Sequence, residues 1–262
     1  MMTQTDIYRL DDLVAVVPGG TGAIGSQVCK TLARAGAAVA VIGRSSDRAQ
    51  AVVDEIEGEG GSALGVVADV TAREQAERAI AETAERFSRV DIIVNCVGGG
   101  AGKVLYPAHE YPDDAWNWIF DLNVTSSWLP TQAAVRAMIQ GERGGRVLNI
   151  SSVRGQLGID AGYSAYVAAK GAINALTRQE ATEWAKYGIT VNAIAPTFVD
   201  TPQVAMLLDD PEFKASIVKR IPLGRVGTTE DLVGAVLFFC SPASSFITGQ
   251  ILTIDGGLTA TQ

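Results

Sequence analysis

The sequence is poor in the residues on which most metal and covalent chemistries rest. Its 262 residues hold three cysteines, Cys29, Cys96 and Cys240, none of them in a CxxC pair. Neither a disulfide framework nor a zinc site is therefore written into it; no metal is expected, and a reducing cytoplasm is. There is one histidine, His109, in the polar, proline-flanked stretch YPAHEYPDD. A Ser-His-Asp triad has this candidate alone and no GxSxG elbow beside it, so His109 reads as a surface-loop residue.

Positive charge is scarce as well: 21 lysines and arginines face 29 aspartates and glutamates, a net charge of −8. Nucleic-acid backbones and anionic membranes both need clustered cations, so neither is an expected partner, and a small molecule is. The start MMTQTDIYRLDDLVAVV lacks a basic segment followed by a long apolar run. No later segment reaches about eighteen uninterrupted apolar residues, so a soluble, unprocessed chain is expected. Repeats, low-complexity tracts and Ser/Gly-rich linkers are missing too, which leaves residues 1–262 as one domain.

What is present is a hydrophobic content of 47%, enough for a full core, arranged in a repeating rhythm. Short β-branched runs fall at 13–17, 38–42, 63–67, 91–95, 146–150, 189–194 and 251–255, with longer helical patterns between them. In one such pattern Ala76, Ala79, Ile80, Ala84 and Phe87 share a face that excludes most of Glu74, Glu77, Glu82 and Glu85. Nearly continuous apolar strands imply burial on both faces. The expected fold is α/β, a doubly wound parallel sheet of seven strands with helices on both faces. The longest departure from the rhythm, about 197–228, carries Phe198, Val204, Met206, Leu207, Leu208, Phe213 and Ile217 ahead of Pro222. It reads as a helical lid over a site, with an extra surface helix as the plainer alternative.

The first strand runs into PGGTGAIGSQVCKTLARAG, a glycine-rich turn that opens a helix. In that setting a pyrophosphate can approach backbone N–H groups at the helix N-terminus. Gly20 to Gly25 match GxGxxG, while Gly19 to Gly25 also read as GxxxGxG with Ala23 in place of the middle glycine; either way Gly19 and Gly25 are in use. The second strand ends without the acid that would grip both ribose hydroxyls of NAD. Arg44, with the hydroxyls of Ser45 and Ser46, favours the 2′-phosphate of NADP instead, unless Arg44 only stacks on adenine. Asp69, after the third strand, either accepts from the adenine amino group or caps a helix beginning near Thr71. After the fourth strand, Asn95-Cys96-Val97-Gly98-Gly99-Gly100 offers bare backbone to a ribose.

At the chemical end, the fifth strand leads into Ser151-Ser152, and a later helix carries Tyr166 and Lys170 on one face, four residues apart. A phenol of pKa about 10 is a poor base at neutral pH, but a nearby ammonium and an oxidised nicotinamide ring both favour phenolate. Ser152 would then hydrogen-bond a substrate oxygen and Tyr166 would give or take its proton.

Taken together, these residues resemble the short-chain dehydrogenase/reductase family from about Leu10 to Gly257. The resemblance is carried by the glycine-rich loop, Asp69-Val70, Asn95-Cys-Val-Gly98 in place of NNAG, Asn123 in DLNVTSS, Ser152, Tyr166 with Lys170, and Pro196 with Thr201 in APTFVDT. FITGQILTIDGG at the C-terminus adds to it. It implies a Rossmann-like fold, a homotetramer, and a catalytic tetrad of Asn123, Ser152, Tyr166 and Lys170, with Asn123 holding a water that links Lys170 to solvent. It implies a coenzyme held by Gly19, Thr21, Gly22, Ala23, Ile24, Arg44, Ser45, Asp69, Val70, Asn95, Gly98, Tyr166, Lys170, Pro196, Thr197, Val199 and Thr201, with Ile194 and Thr201 on the nicotinamide carboxamide. Pro18, Ala23, Cys96-Val97 and Thr197 depart from the usual pattern, and Thr197 stands where it could narrow the substrate pocket.

The expected activity is NAD(P)(H)-dependent interconversion of a secondary alcohol and a ketone. The APTFVDT and IPLGRVGTTEDLVGAVLFF stretches look more like gluconate or polyol dehydrogenases than like 3-oxoacyl-thioester reductases; a non-catalytic dinucleotide sensor is the alternative of another class. The expected pocket walls are Gly99, Gly100, Val153, Leu157, Ile159, Tyr163 and Phe198. Arg154 could meet a carboxylate, although a solvent-facing arginine is the expected reading.

Overall fold

The computed structural model describes residues 6–202, 204–205 and 209–261. Seven strands form one all-parallel sheet: β1 Val14–Pro18, β2 Ala38–Gly43, β3 Ser62–Val67, β4 Ile92–Asn95, β5 Gly145–Ile150, β6 Ile189–Pro196 and β7 Ile251–Ile254. They lie in the order β3-β2-β1-β4-β5-β6-β7. The α-helices are α1 Ala23–Arg34, α2 Ser46–Gly58, α3 Arg73–Phe87, α4 Asp113–Phe120, α5 Ser126–Gly141, α6 Ser164–Trp184, α7 Pro211–Val218 and α8 Glu230–Cys240. No helix among the described residues is long and apolar enough to cross a membrane.

The alternation of side chains along each strand feeds two cores. Ala15 and Val17 of β1 point into a layer with α1, α2 and α8, where Val28, Leu32, Val52, Ile56, Leu232 and Val236 pack. Val16 points the other way, among Ala76, Ala79 and Ile80 of α3 and Leu129, Ala134 and Met138 of α5. Burial on both faces holds along the whole of β1, β4 and β6. It fails at the two edges: Val67 of β3 is 46% exposed and Leu252 of β7 is 42% exposed, because an outermost strand has a neighbour on one side only.

A chain of buried amides and hydroxyls stitches the centre. Asn95 Nδ2 donates to Thr131 Oγ1 at 2.7 Å and to Asn149 Oδ1 at 2.8 Å, and Asn149 Nδ2 donates to Thr177 Oγ1 at 3.0 Å. β4, α5, β5 and α6 are thereby tied through side chains that have no access to water. Asn95, expected against the coenzyme, is instead 1% exposed beneath the sheet's rim, because its side chain points down into this network.

The chain winds from β1 outward to β3, returns through α3 to β4 beside β1, and then winds the other way. Loops leaving the carboxyl ends of β1 and β4 therefore diverge, and the crevice between them is where such sheets take ligands. Here the two loops touch at the point of divergence. Gly19 has φ +79°, and a Cβ on it would lie 2.7 Å from Val97 N; one on Gly25 would overlap the Gly19 carbonyl. Gly22 caps α1 with φ −86°, and a methyl there would stop 3.4 Å from the nearest atom. Ala23 is the first residue of α1 and is not among the positive-φ residues, so its methyl is accommodated. The glycines on which a Cβ would press into backbone are thus Gly19, Gly20 and Gly25, of which only Gly25 is common to both sequence registers.

Two outcomes follow for stability, both read by denaturant unfolding. Asn149→Ala strands the Asn95 amide and should cost about 1–3 kcal/mol. Gly25→Ala should cost about 1–3 kcal/mol through overpacking, whereas Gly22→Ser should stay within about 0.5 kcal/mol of the parent, since serine is itself a good N-cap.

Candidate active site

A groove runs along the carboxyl edge of the sheet. One end is walled by Gly19, Thr21 to Gly25, Gly43, Arg44, Arg48 and Ala68 to Thr71, from the loops after β1, β2 and β3. The other is walled by Gly99, Ser151 to Arg154, Ile159, Tyr163, Tyr166, Lys170 and Pro196 to Val199, from the loops after β4, β5 and β6 and from α6. Ile24, Cys96, Val97, Gly98 and Thr201 belong to both ends, which makes it one continuous site.

The second end gathers Ser152, Tyr166 and Lys170, with Asn123, expected beside them, fully buried behind Gly98 and not in the groove wall. Ser152 follows β5, and its Oγ accepts from Arg154 N at 3.1 Å. On α6, Tyr166 and Lys170 stand one turn apart; Lys170 Nζ donates to Ile150 O at 2.9 Å and lies 5.8 Å from the centroid of the Tyr166 ring. Asn123 sits in a π-helical turn, Asp121–Thr125, that interrupts the passage from α4 to α5. Such turns cluster at functional sites because the extra residue redirects one side chain. Asn123 Oδ1 accepts from Gly99 N at 2.8 Å, while Nδ2 donates to Gly99 O at 3.0 Å and Ile119 O at 2.9 Å. Gly98 is the point of convergence: a Cβ there would be 3.0 Å from Asn123 Oδ1 and 3.1 Å from Lys170 Nζ.

Burial governs the charges at this end. It pulls the Lys170 ammonium down to about 8. It pushes the Tyr166 phenol above its ordinary value, against the pull of a hydrogen bond with Ser152 and of the Arg154 cation. Lys170 gives its hydrogen bond to the Ile150 carbonyl, and Ser152 and Arg154 add to the groups around Tyr166 that favour phenolate.

Of the residues expected around a coenzyme, Gly19, Thr21, Gly22, Ala23, Ile24, Arg44, Asp69, Val70, Gly98, Tyr166, Lys170, Pro196, Thr197, Val199 and Thr201 all line the groove. Ser45 does not: its hydroxyl caps α2, accepting from Arg48 N at 3.4 Å. Ile194 does not either, since its carbonyl accepts from Ser151 N within the sheet; β6 continues to Pro196, and Val199 is the aliphatic residue that reaches the site. Asp69 Oδ1 accepts from Thr71 N at 3.0 Å and Thr71 Oγ1 at 2.7 Å. These bonds hold its carboxyl below its ordinary value, with a contribution from Arg44. Asp69 is not the cap of α3, which is Ala72.

Of the expected pocket walls, Gly99, Val153, Ile159, Tyr163 and Phe198 line the site. Leu157 is 39% exposed, and Gly100 instead packs against Trp118 and Leu122. In the stretch expected as a lid, α7 packs on the loop after β6: Phe213 meets Phe198 edge-on at 6.0 Å, Ile217 and Val226 pack with them, and Val204 reaches the pocket. Met206, Leu207 and Leu208 lie outside the described residues. His109 is in a 3-10 turn, its side chain 81% exposed.

Sequence reasoning missed Arg48, Trp118, Asp121 and Leu122, all of which line the first end. Arg48 lies in the first turn of α2, just beyond Arg44, which precedes the helix. The other three come from α4 and the π turn, whose position only the tertiary structure gives. Arg154 is a correction: it is 8% exposed, not solvent-facing, because the 3-10 turn Val153–Gly155 folds it inward.

The residues present fit a dinucleotide. The glycine cradle at the N-terminus of α1 has room only for backbone, two cations flank the end of β2, and Thr197 Oγ1 is buried beside Lys170's end of the groove without a hydrogen-bond partner. Comparison with known proteins points the same way. A family model described as enoyl-(acyl carrier protein) reductase matches residues 20–259. A tropinone reductase homologue of Arabidopsis thaliana is 38% identical, over 96% of this chain and 94% of its own. Gluconate 5-dehydrogenase of Gluconobacter oxydans is 35% identical, over 98% of this chain and 99% of its own. The crystal structure of a gluconate 5-dehydrogenase from Burkholderia cenocepacia, in complex with NADP and tartrate, is 34% identical. It has a TM-score of 0.92 and covers 99% of this chain and 100% of its own. Sheet order, groove and relatives agree over nearly the full length, and the chain belongs to the short-chain dehydrogenase/reductase family of nicotinamide-dependent oxidoreductases that interconvert alcohols and ketones.

Proposed function

We propose that this protein interconverts a secondary alcohol of the sugar-acid or polyol type and its ketone, with NADP as preferred coenzyme and Tyr166 as the group that moves the proton. The observation that carries the reading is the convergence of Ser152, Tyr166 and Lys170, with Asn123 behind Gly98, at the end of the groove where Thr197 Oγ1 is without a partner. The relatives named gluconate 5-dehydrogenase support the substrate class.

Gly19, Thr21, Gly22, Ala23 and Ile24 would hold the pyrophosphate, Arg44 the 2′-phosphate, Asp69 and Val70 the adenine, and Pro196, Thr197, Val199 and Thr201 the nicotinamide. When bound, the coenzyme supplies or accepts the hydride. Ser152 holds the substrate oxygen. Tyr166, a phenol whose pKa burial raises further, donates to that oxygen as the ketone is reduced and recovers the proton in the reverse direction. Lys170, charged below about pH 8, orients the nicotinamide ribose and, with Asn123, opens a path for the proton. The segment 197–228 closes over the substrate as a lid.

A homotetramer in the cytoplasm completes the proposal. Phe246, fully exposed at 102% near the β7 edge, supports assembly, and three free thiols suit a reducing compartment.

Tyr166→Phe should lower kcat by about 10²–10⁴ while coenzyme binding, followed by fluorescence quenching, persists; hydride transfer at a near-parental rate would sink the assignment and favour a dinucleotide sensor. For the coenzyme, kcat/KM should favour NADPH over NADH by about 10- to 100-fold, the worth of a charge-assisted contact. Arg44→Glu should invert that order, and a parental preference for NADH would overturn the NADP assignment.

A further inference from the structure

Arg154 is a buried cation whose counter-charge is missing. It lies in the wall shared with Ser152, Tyr163, Tyr166 and Thr197 and is 8% exposed. A guanidinium carries five N–H donors; here one protein bond is made, from Nη1 to Gly158 O at 3.1 Å. No carboxylate pairs with it among the described residues. Burial disfavours the charged form of Arg154, and the Arg220 cation, exposed two residues beyond the end of α7, adds to this. A buried charge without a partner costs several kcal/mol. In a chain with a net charge of −8, a buried arginine in the pocket wall with no acid paired to it among the described residues marks a place kept for an anion.

The guanidinium fork matches a planar carboxylate with two parallel bonds. The anion must also sit in the same pocket as the reacting carbon, because Arg154 follows Ser152 by two residues and its backbone N–H holds Ser152 Oγ. We propose that Arg154 receives the carboxylate of the substrate and so selects a hydroxy acid or oxo acid over the neutral polyol of the same carbon skeleton. This rests on the reaction proposed above and narrows it from sugar acid or polyol to the acid. Arg154 acts on binding and orientation; the proton remains with Tyr166.

The test uses matched pairs: gluconate and sorbitol, galactonate and galactitol, tartrate and threitol. Each is titrated calorimetrically into the enzyme with oxidised coenzyme present, and hydride transfer is followed in parallel. The parent should bind at least one acid about 30-fold or more tighter than its neutral partner, as expected for a buried charge pair. Arg154→Gln should collapse that ratio towards one, chiefly through KM, and Arg154→Lys, which keeps the charge without the fork, should retain part of it. Thermal unfolding of both variants identifies any loss of the fold, and the lysine variant then carries the comparison. Equal binding of acid and polyol by the parent, failure of every acid to bind, or a preference that survives both substitutions would overturn the proposal. If acids bind in an Arg154-dependent way but none is oxidised, this inference stands and the proposed reaction falls. If a pair is oxidised with no preference for the acid, the reaction stands and this inference falls.

Discussion

A parallel sheet that winds outward in one direction from β1 and in the other from β4 must open between them at its carboxyl edge, and the rest of the site is arranged around that opening. Backbone has to fill the space where the two loops meet. Gly19 against Val97, and Gly25 against Gly19, leave no room for side chains, so α1 presents its N-terminal N–H groups directly to the crevice. The buried amide network of Asn95, Asn149, Thr131 and Thr177 lies immediately below. It fixes the relative height of β4 and β5, and through them the placement of Gly98 and Ser152. The geometry of the groove is therefore a property of the sheet and not of its loops alone.

Charge inside the groove is managed by withdrawal of water more than by pairing. Lys170 is buried with a carbonyl as its hydrogen-bond acceptor, Tyr166 is half-buried beside a hydroxyl, and Arg154 is buried beside a carbonyl. Each is held away from the protonation behaviour it would have in solution, and the directions differ because burial favours the neutral form of each. For Tyr166 that means a phenol that keeps its proton; for Lys170 it means an ammonium poised near physiological pH. Pre-set protonation of this kind needs no rearrangement when substrate arrives.

Much of this was legible in the sequence. The seven strands follow from apolar runs, the cradle from glycines between a strand and a helix, and Tyr166 with Lys170 from helical spacing combined with their position downstream of Ser152. What escaped was whatever depends on the direction of a side chain. Asn95 points into the core although it stands in a loop-like motif, and Ile194 gives its carbonyl to the sheet because β6 is two residues longer than its β-branched run. Asn123 could be recognised only by resemblance, since a π turn leaves no mark in hydrophobic periodicity. Arg154, flanked by glycine and valine in a loop, has the local composition of an exposed residue, and only the fold shows that its 3-10 turn folds inward.

Ile24, Cys96, Val97, Gly98 and Thr201 wall both ends of the groove. Anything laid across them becomes part of the surface that the next molecule meets, so the two occupants cannot have independent affinities. By thermodynamic reciprocity, whatever factor one gains from the presence of the other is returned in full. A shared wall thus couples the two ends of the groove: a substitution at Ile24, Cys96, Val97, Gly98 or Thr201 alters the surface offered at both at once.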